Sequence, residues 1–307
     1  MFASDISSSR RRFLKGAGAS VCALSIFPKK LRANHTKVSK GEAYSVLVDL
    51  TRCIACRACS RVCVKANGLD PADDGSNVSP QHCETLAYNK WSTVNVENVP
   101  EPMHKSLAVG VKRQCMHCLE PACVSVCPVG AFSQTEKGPV IYRSQRCIGC
   151  RYCMIACPFE IPKFNWHSGF TPVVGKCQFC AQNRLFKGLP PACVEACPTG
   201  ALKFGSREKL LFEAKVRVKA NPKKYIKHIY GENEIGGTSW LYLSGIPFEK
   251  LGFKSNLPTS PIPSFTWEVV SRIPIIIAAL SGLFGMVAFS LKKHIKDQDD
   301  LPKAGAS

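Results

Sequence analysis

The sequence contains none of the common motifs of a catalytic site. It has no glycine-rich nucleotide loop ending in Lys-Ser or Lys-Thr, no pair of carboxylates in a repeated frame, no nucleophile motif and no Cys-x2-Cys-His haem attachment site. Only 45% of its residues are hydrophobic, whereas a polytopic membrane protein would be far more apolar. These absences predict a chain that is not an enzyme in its own right.

Acidic side chains are also scarce, with 22 Asp and Glu residues against 41 Lys and Arg residues and a formal net charge of +19. A nucleic-acid-binding protein would gather such an excess into one basic stripe. Many of the basic residues here instead stand beside cysteines in the chain: Arg52, Arg57, Arg61, Arg113, Arg146, Arg151 and Lys176. The pattern predicts local compensation of anionic centres held by the cysteines, and no nucleic-acid partner.

Cysteine is what the chain has in excess, with 18 residues in 307. So many thiols indicate metal centres or disulfides. Sixteen of them form four groups of four, and only Cys22 and Cys83 stand apart. The groups are Cys53, Cys56, Cys59 and Cys63; Cys115, Cys118, Cys123 and Cys127; Cys147, Cys150, Cys153 and Cys157; and Cys177, Cys180, Cys193 and Cys197.

The spacing within the groups favours [4Fe–4S] clusters. The first and third groups follow C-x2-C-x2-C-x3-C, the bacterial ferredoxin spacing, and the other two stretch only the gap before the third cysteine. Proline follows the last cysteine in three groups, whereas Val64 follows it in the first. Disulfides are a poor alternative because cysteines three apart on one loop have unfavourable bridging geometry. Structural zinc, which pairs C-x2-C units, would make the chain an interaction scaffold instead.

Four [4Fe–4S] clusters, each a cube-shaped cluster or cubane, also imply the fold. Three cysteines on a tight loop can wrap one cubane, and the fourth points away to the other cluster of a two-cluster unit. Short strands are predicted at 44–50, 109–113, 140–143 and 201–204, and a helix at 206–220. The predicted fold class is α+β. Two bacterial-ferredoxin-like double-cluster modules with loop insertions occupy 44–205, a partner-docking extension covers 206–265, and one C-terminal transmembrane helix follows.

Both ends of the chain predict export and anchoring. Residues 1–33 hold paired arginines, then Phe13-Leu14-Lys15 and a short apolar run, as in a twin-arginine signal peptide. Residues 273–291 carry no charge and would span roughly 28 Å, close to the hydrocarbon thickness of a bilayer. The lysines after them predict a cytoplasmic tail over 292–307 and a main domain on the periplasmic face of the cytoplasmic membrane. The alternatives are a chance basic tail and a buried core helix.

Taken together, the cysteine groups, the leader and the C-terminal span resemble the four-cluster electron-transfer subunits of membrane-bound respiratory oxidoreductases. The resemblance is strong over residues 44–205. Residues 229–243 and 245–251 look like the segment before the anchor in subunits of the hydrogenase-2 type, and less like that of formate dehydrogenase-N. The chain carries its own leader, as the hydrogenase-2 type does, and this favours that branch.

This resemblance implies partners and ligand sets. Single electrons would pass between a periplasmic catalytic subunit, of nickel–iron hydrogenase or molybdopterin type, and an integral membrane quinone-reactive or cytochrome b subunit. In the family the outer groups pair with each other, and so do the inner groups. The implied sets are Cys53, Cys56, Cys59 and Cys197; Cys177, Cys180, Cys193 and Cys63; Cys115, Cys118, Cys123 and Cys157; and Cys147, Cys150, Cys153 and Cys127.

Overall fold

The computed structural model describes residues 38–39, 41–71, 83–101, 104–167 and 172–299. The predicted leader over 1–33 lies outside these residues, and so does the end of the predicted tail, 300–307. The strands are β1 (Tyr44–Asp49), β2 (Ser92–Glu101), β3 (His104–Gln114), β4 (Phe132–Gln134), β5 (Val140–Tyr142), β6 (Lys163–Phe164), β7 (Val174–Gly175), β8 (Leu202–Ser206) and β9 (Trp240–Leu243). The helices are α1 (Ala58–Asn67), α2 (Ala122–Ser125), α3 (Tyr152–Ile155), α4 (Ala192–Glu195), α5 (Arg207–Ala220), α6 (Ile262–Val270) and α7 (Ile273–Asp299).

A three-stranded sheet of order β8-β1-β9 forms the centre of the fold, with β1 antiparallel to β8 and parallel to β9. Successive side chains of a strand point to opposite faces of a sheet. Val46 and Val48 therefore pack with Trp240 on one face, in the cluster that also contains buried cysteine. Leu47 packs on the other face against Leu210 of α5. The sheet thus separates helix α5 from the cysteine-rich side.

Asp49, at the end of β1, connects α5 to the sheet. Its buried carboxylate accepts hydrogen bonds from the Tyr225 hydroxyl at 2.8 Å, from Arg217 at 3.1 Å and from the Thr51 hydroxyl at 2.6 Å. A carboxylate is stable inside a protein only with such partners. The contact explains why the segment after residue 206 is part of the same core and not a separate appendage.

Strands β2 and β3 form a long antiparallel hairpin, with Ser92 opposite Gln114 at one end. Gly110, Lys112 and Gln114 alternate along β3 and share one face of it. This face lies against the cysteines: a Cβ placed on Gly110 would be 2.9 Å from the Cys53 sulfur. Two much shorter ladders, β4–β5 and β6–β7, support the region around the second and third cysteine groups.

The mixture of helices and strands expected for the α+β class is confirmed. The strands predicted at 44–50, 109–113, 140–143 and 201–204 correspond to β1, part of β3, β5 and β8. The helix predicted at 206–220 is α5; Ser206 precedes it but its side chain makes no capping hydrogen bond. The predicted docking extension over 206–265 also supplies β9, whose side chains are buried beside β1.

Among the described residues, one helical stretch, Ile262–Lys292, is long and apolar enough to cross a membrane. It comprises α6 and most of α7, and its large side chains face outward. Ile275, Phe284 and Phe289 are 71%, 70% and 73% exposed. A core helix of a soluble domain would bury these side chains, so their exposure favours the predicted membrane span over a buried core helix.

Candidate iron–sulfur centres

All four cysteine groups begin with the same backbone turn. The residue just before the second cysteine has a left-handed backbone in each group, with φ of 54° at Ala55, 48° at His117, 73° at Gly149 and 60° at Phe179. Only one of the four is glycine, and for other residues this conformation costs on the order of 1–3 kcal/mol. A strained turn repeated at equivalent positions indicates a shared geometric demand, namely that the first two thiols turn toward one point.

A second repeat follows the turn. The third cysteine of each group, Cys59, Cys123, Cys153 or Cys193, is the second residue of α1, α2, α3 or α4. In three groups the helix is only four residues long and the fourth cysteine comes just after it, before a proline. Proline cannot continue a helix. The first group has Val64 at that position, and α1 there continues for ten residues with Cys63 inside it.

The folded chain brings the sixteen cysteines together in four sets, each with one member from another group. Set A is Cys53, Cys56, Cys59 and Cys197; set B is Cys63, Cys177, Cys180 and Cys193; set C is Cys115, Cys118, Cys123 and Cys157; set D is Cys127, Cys147, Cys150 and Cys153. These are the same groupings that the family resemblance implies. That each set acts as the ligands of one cluster remains a prediction.

Electrostatic contacts define sets A and C. Burial raises the pKa of Cys53 to about 11, and Cys59, Cys197 and Cys56 add to the increase. Burial likewise raises the pKa of Cys118 well above its ordinary value, and the other three thiols of set C add to the increase. Neighbouring thiols resist deprotonation in this way because several thiolates would repel one another. Iron binding would remove these protons and supply the missing positive charge.

Sets B and D each line a cavity. The cavity at set B is also bordered by Lys112, Gln114 and Trp240. Val129, Phe132 and Val174 contribute to the wall of the cavity at set D. Converging thiols around a mainly apolar cavity form a suitable cradle for an iron–sulfur cluster.

The arrangement fits a multi-iron cluster better than a single ion. In the part of the chain that the structure describes, no group of three or more His, Cys, Asp or Glu side chains could hold one metal ion. A structural zinc ion needs four ligands that converge at about 2.0–2.3 Å. A cubane instead takes one thiolate at each of four iron corners, so its ligands stay farther apart.

Several groups on the chain donate hydrogen bonds to these sulfurs. Backbone N–H groups of Ala131, Gly149 and Phe179 point to the sulfurs of Cys127, Cys147 and Cys177 at 3.2, 3.4 and 3.3 Å. Hydrogen bonds to ligand sulfur stabilise negative charge and raise the reduction potential of a cluster. The donors arise from the turn geometry, so side-chain patterns in the sequence do not reveal them.

The four sets follow one another in a line. The Cys63 thiol of set B lies close enough to the Cys59 thiol of set A to interact with it electrostatically. Cys177 of set B interacts in the same way with Cys115 of set C. Cys123 of set C interacts with Cys153 of set D. The spatial order is therefore A, B, C, D.

Two lysines are buried along this line, and the sequence pattern indicated only one of them. Lys176 was expected beside a cysteine, and its ammonium donates to the carbonyls of Val140 at 2.6 Å and Cys177 at 2.9 Å. Lys112 was not expected. Burial lowers the pKa of Lys112, but nearby Cys59, Cys193 and Tyr242 raise it above its ordinary value overall.

Some of the other basic residues that stand beside cysteines in the chain are exposed. Arg52, Arg146 and Arg151 are exposed, whereas Arg57 is buried and donates to the Val94 carbonyl at 3.1 Å. Cys83, which has no spacing partner, is an exposed free thiol. Compensation of the cluster charge thus comes from both buried and surface cations.

Comparison with known proteins agrees with this chemistry. The family described as "4Fe-4S dicluster domain" matches residues 109–207. A protein of Nitratidesulfovibrio vulgaris is 41% identical over 96% of this chain and 81% of its own length. The hydrogenase-2 operon protein HybA of Escherichia coli O157:H7 is 34% identical over 95% of this chain and 98% of its own length. The formate dehydrogenase-O iron-sulfur subunit of Escherichia coli K12 is 30% identical over 85% of this chain and 88% of its own length.

Two independent lines of evidence therefore agree. The cysteine frame, with its repeated turns and converging thiols, fits [4Fe–4S] clusters, and relatives cover nearly the whole chain at 30% identity or more. The chain carries multiple [4Fe–4S] clusters and belongs to the family of iron–sulfur electron-transfer subunits of the HybA type.

Proposed function

We propose that this chain conducts single electrons through four [4Fe–4S] clusters, one at each of sets A to D, between a catalytic subunit and a membrane quinone-reactive subunit. When bound, each cluster accepts and releases one electron. The protein's contribution is to hold the sixteen thiols, exclude water and place positive charge nearby. The observation that carries the proposal is the unbroken order A, B, C, D, in which each set neighbours the next.

The same arrangement supports two double-cluster modules, AB and CD, as part of this proposal. In each module the fourth cysteine of one group belongs to the set of the other group, as Cys197 belongs to set A and Cys63 to set B. This exchange is what the bacterial ferredoxin frame demands of a two-cluster unit. The interleaving explains how residues 44–205 can form one domain although the first and fourth groups are distant in sequence.

The membrane end of the line is supported by contacts around set C. The Leu119 amide, next to Cys118, donates to the Gly237 carbonyl at 3.0 Å. The neighbouring amide of Gly236 donates to the Thr259 carbonyl at 2.8 Å, just before α6. Helix α6 itself contacts α2, which carries Cys123. These contacts support a position of module CD toward the start of the membrane span, with set A at the far end of the line.

Exposed apolar side chains around set D suit a protein partner. Cys150 itself is exposed, and Ile148, Tyr152 and Ile155 beside it are 61%, 55% and 80% exposed. Contiguous exposed apolar surface on a folded domain marks an interaction site. We infer that electrons pass between set D and the quinone-reactive or cytochrome b subunit here, while set A faces the catalytic subunit.

The catalytic partner that fits best is a nickel–iron hydrogenase. The HybA relative is matched along 98% of its length, and the formate dehydrogenase-O subunit along 88%. The chain also begins with the twin-arginine pattern at 1–33, which fits export of a folded, cluster-loaded subunit to the periplasmic face of the membrane. A molybdopterin enzyme, such as a formate dehydrogenase, is the second candidate for the same role.

The chain itself would perform no substrate chemistry in this role. Each set has four thiols, so no iron corner is left open for a substrate. The zinc-stabilised scaffold is the alternative of a different class. It predicts bound zinc with little acid-labile sulfide, whereas [4Fe–4S] clusters contain sulfide.

Anaerobic purification of the solubilised complex, with iron, zinc and acid-labile sulfide measured on the same sample, tests the proposal. About sixteen iron and sixteen sulfide per chain are expected from four cubanes. The co-purifying large subunit then identifies the oxidoreductase. Zinc with little sulfide would refute electron conduction and leave the scaffold. About twelve iron would mean that one set does not hold a complete cubane.

A further inference from the structure

Within the part of the chain that the structure describes, a positively charged side chain is buried between sets A and B without an acidic partner. Lys112 is 2% exposed. Among the described residues its ammonium makes no ion pair; its one side-chain hydrogen bond goes to the Ser92 hydroxyl, and it lies 5.4 Å from the centre of the Trp240 ring. A hydroxyl and a ring face do not neutralise a full charge. An isolated buried ammonium is strongly unfavourable unless an anion accompanies it.

The strand geometry points this ammonium at the thiols. Lys112 shares one face of β3 with Gly110 and Gln114, and that face lies against the cysteines. The ammonium lies close enough to Cys59 of set A and to Cys63 and Cys193 of set B to interact with all three. It also borders the cavity at set B. The only anions these contacts offer are the thiolates and whatever they hold.

A purely structural role explains the contacts poorly. A methionine at this position would have nearly the same length and would fill the same space between the hairpin and Trp240 without any buried charge. The hydrogen bond to Ser92 joins two strands that are already paired by their backbones along the whole hairpin. The charge itself is therefore the feature that needs an explanation.

We propose that Lys112 is a redox-tuning residue, whose ammonium group holds a fixed positive charge between the clusters of sets A and B and raises the reduction potential of both. The inference rests on the proposed function, since it assumes that both sets hold [4Fe–4S] clusters. Reduction adds one negative charge to a cluster, and a nearby fixed cation stabilises the reduced form more than the oxidised form. Because the charge lies between the two sets, both potentials rise together. The difference in potential between the clusters of sets A and B therefore changes little.

The test is a redox titration monitored by electron paramagnetic resonance, on the full complex purified anaerobically. Lys112→Met removes the charge and keeps the size, and Lys112→Arg keeps the charge. Lys209→Met removes a charge from an exposed position on α5 and serves as the matched control. We expect Lys112→Met to lower the equilibrium constant for reduction of two clusters by about tenfold or more, which is 59 mV for one electron. Lys112→Arg and Lys209→Met should leave all potentials near those of the wild type.

Iron and sulfide content of the unaltered protein separates the two proposals. Without four cubanes in the wild type, the proposed function itself fails. With four cubanes and unchanged potentials in Lys112→Met, only the role of Lys112 is refuted. Loss of clusters in both Lys112→Met and Lys112→Arg would show a structural role and would also refute it.

A second pair of variants tests the proposal if Lys112→Met, unlike Lys112→Arg, fails to assemble its clusters. Ser92→Asp places a carboxylate on the ammonium and cancels its field while the lysine stays in place. Ser92→Asn is the neutral counterpart of similar size. Lower potentials of two clusters in Ser92→Asp but not in Ser92→Asn would support the proposal. Equal potentials in the two variants would overturn it.

Discussion

Sets A and B share one cysteine frame with sets C and D but differ from them in their surroundings. Sets A and B lie beside the three-stranded sheet and the long hairpin, where Trp240 and Lys112 are almost wholly buried. Sets C and D lie among the short ladders β4–β5 and β6–β7, and the line ends at the exposed Cys150. The comparison teaches that cysteine spacing determines where thiols converge, whereas packing determines how far each set is shielded from solvent.

The largest effect is expected from breaking the line at set B, whose four cysteines are all buried. Cys193→Ala removes one thiol of set B, so the iron content should fall by about one to four atoms per chain, as the site becomes three-iron or empties. Turnover of the complex with quinone should be almost lost, because set B separates set A from the rest. Iron analysis and quinone reduction measure both effects.

Cys83→Ser is the matched control for that experiment. Cys83 is an exposed free thiol with no set around it, so its replacement should leave iron and turnover unchanged. Full iron content and turnover in Cys193→Ala would contradict the assignment of set B.

A smaller and more local effect is expected from Gly110→Ala. The added Cβ would lie 2.9 Å from the Cys53 sulfur and 3.1 Å from the Ala55 Cβ, so set A must shift or lose its cluster. The spectrum of one cluster should change or disappear while the others persist. Gly205→Ala is the comparison, since its nearest atoms belong to Leu210 at 3.5 Å or more. Normal spectra in both variants would show that set A is not tightly enclosed by β3.

The open end of the line is tested by partner binding. Ile155→Asp places a charge in the apolar surface around Cys150, and we expect several-fold less of the membrane subunit to co-purify, with iron content unchanged. Phe212→Asp is the control, because Phe212 is 71% exposed on α5, on the other side of the sheet from sets A and B. If Phe212→Asp released the membrane subunit and Ile155→Asp did not, the docking surface would lie on the extension over 206–265.

The smallest effect is expected from the second buried lysine. Lys176 lies beside Cys123 and Cys157 of set C, but two carbonyls already accept hydrogen bonds from its ammonium. Lys176→Met should therefore lower the potential of one cluster by less than tenfold in its reduction equilibrium, under 59 mV. Redox titrations of Lys176→Met and Lys112→Met, run in parallel, measure the difference between the two shifts in potential. If Lys176→Met lowered a cluster potential more than Lys112→Met does, the expected contrast between sets A and B and set C would be reversed.

Local patterns in the sequence predicted much of this fold. The apolar stretches at 44–50, 140–143 and 201–204 indicated β1, β5 and β8, and the helix predicted at 206–220 is α5. The prolines after three groups fit the short helices found there, and Val64 fits the longer α1 of the first group. These predictions succeed because each depends on residues close to one another in the chain.

Two features of the site needed the tertiary structure. Lys112 has the sequence neighbours of an ordinary strand lysine, and only the pairing of β3 with β2 and the approach of Trp240 bury its charge. The left-handed turns at Ala55, His117 and Phe179 are not indicated by the sequence either, because alanine and phenylalanine do not favour that conformation and histidine favours it only modestly.

The sequence by itself determined the chemistry: sixteen cysteines in a repeated frame can do little else than hold iron–sulfur clusters, since spacing along a loop limits where thiols can converge. It also determined the apolar stretch near the C-terminus, whose length and composition suit a membrane span, while the exposure of its side chains is a property of the folded chain. Only the tertiary structure decided the order A, B, C, D, the burial of Lys112 and the exposure of Cys150. Those properties depend on contacts between residues far apart in the chain, and no local pattern records them.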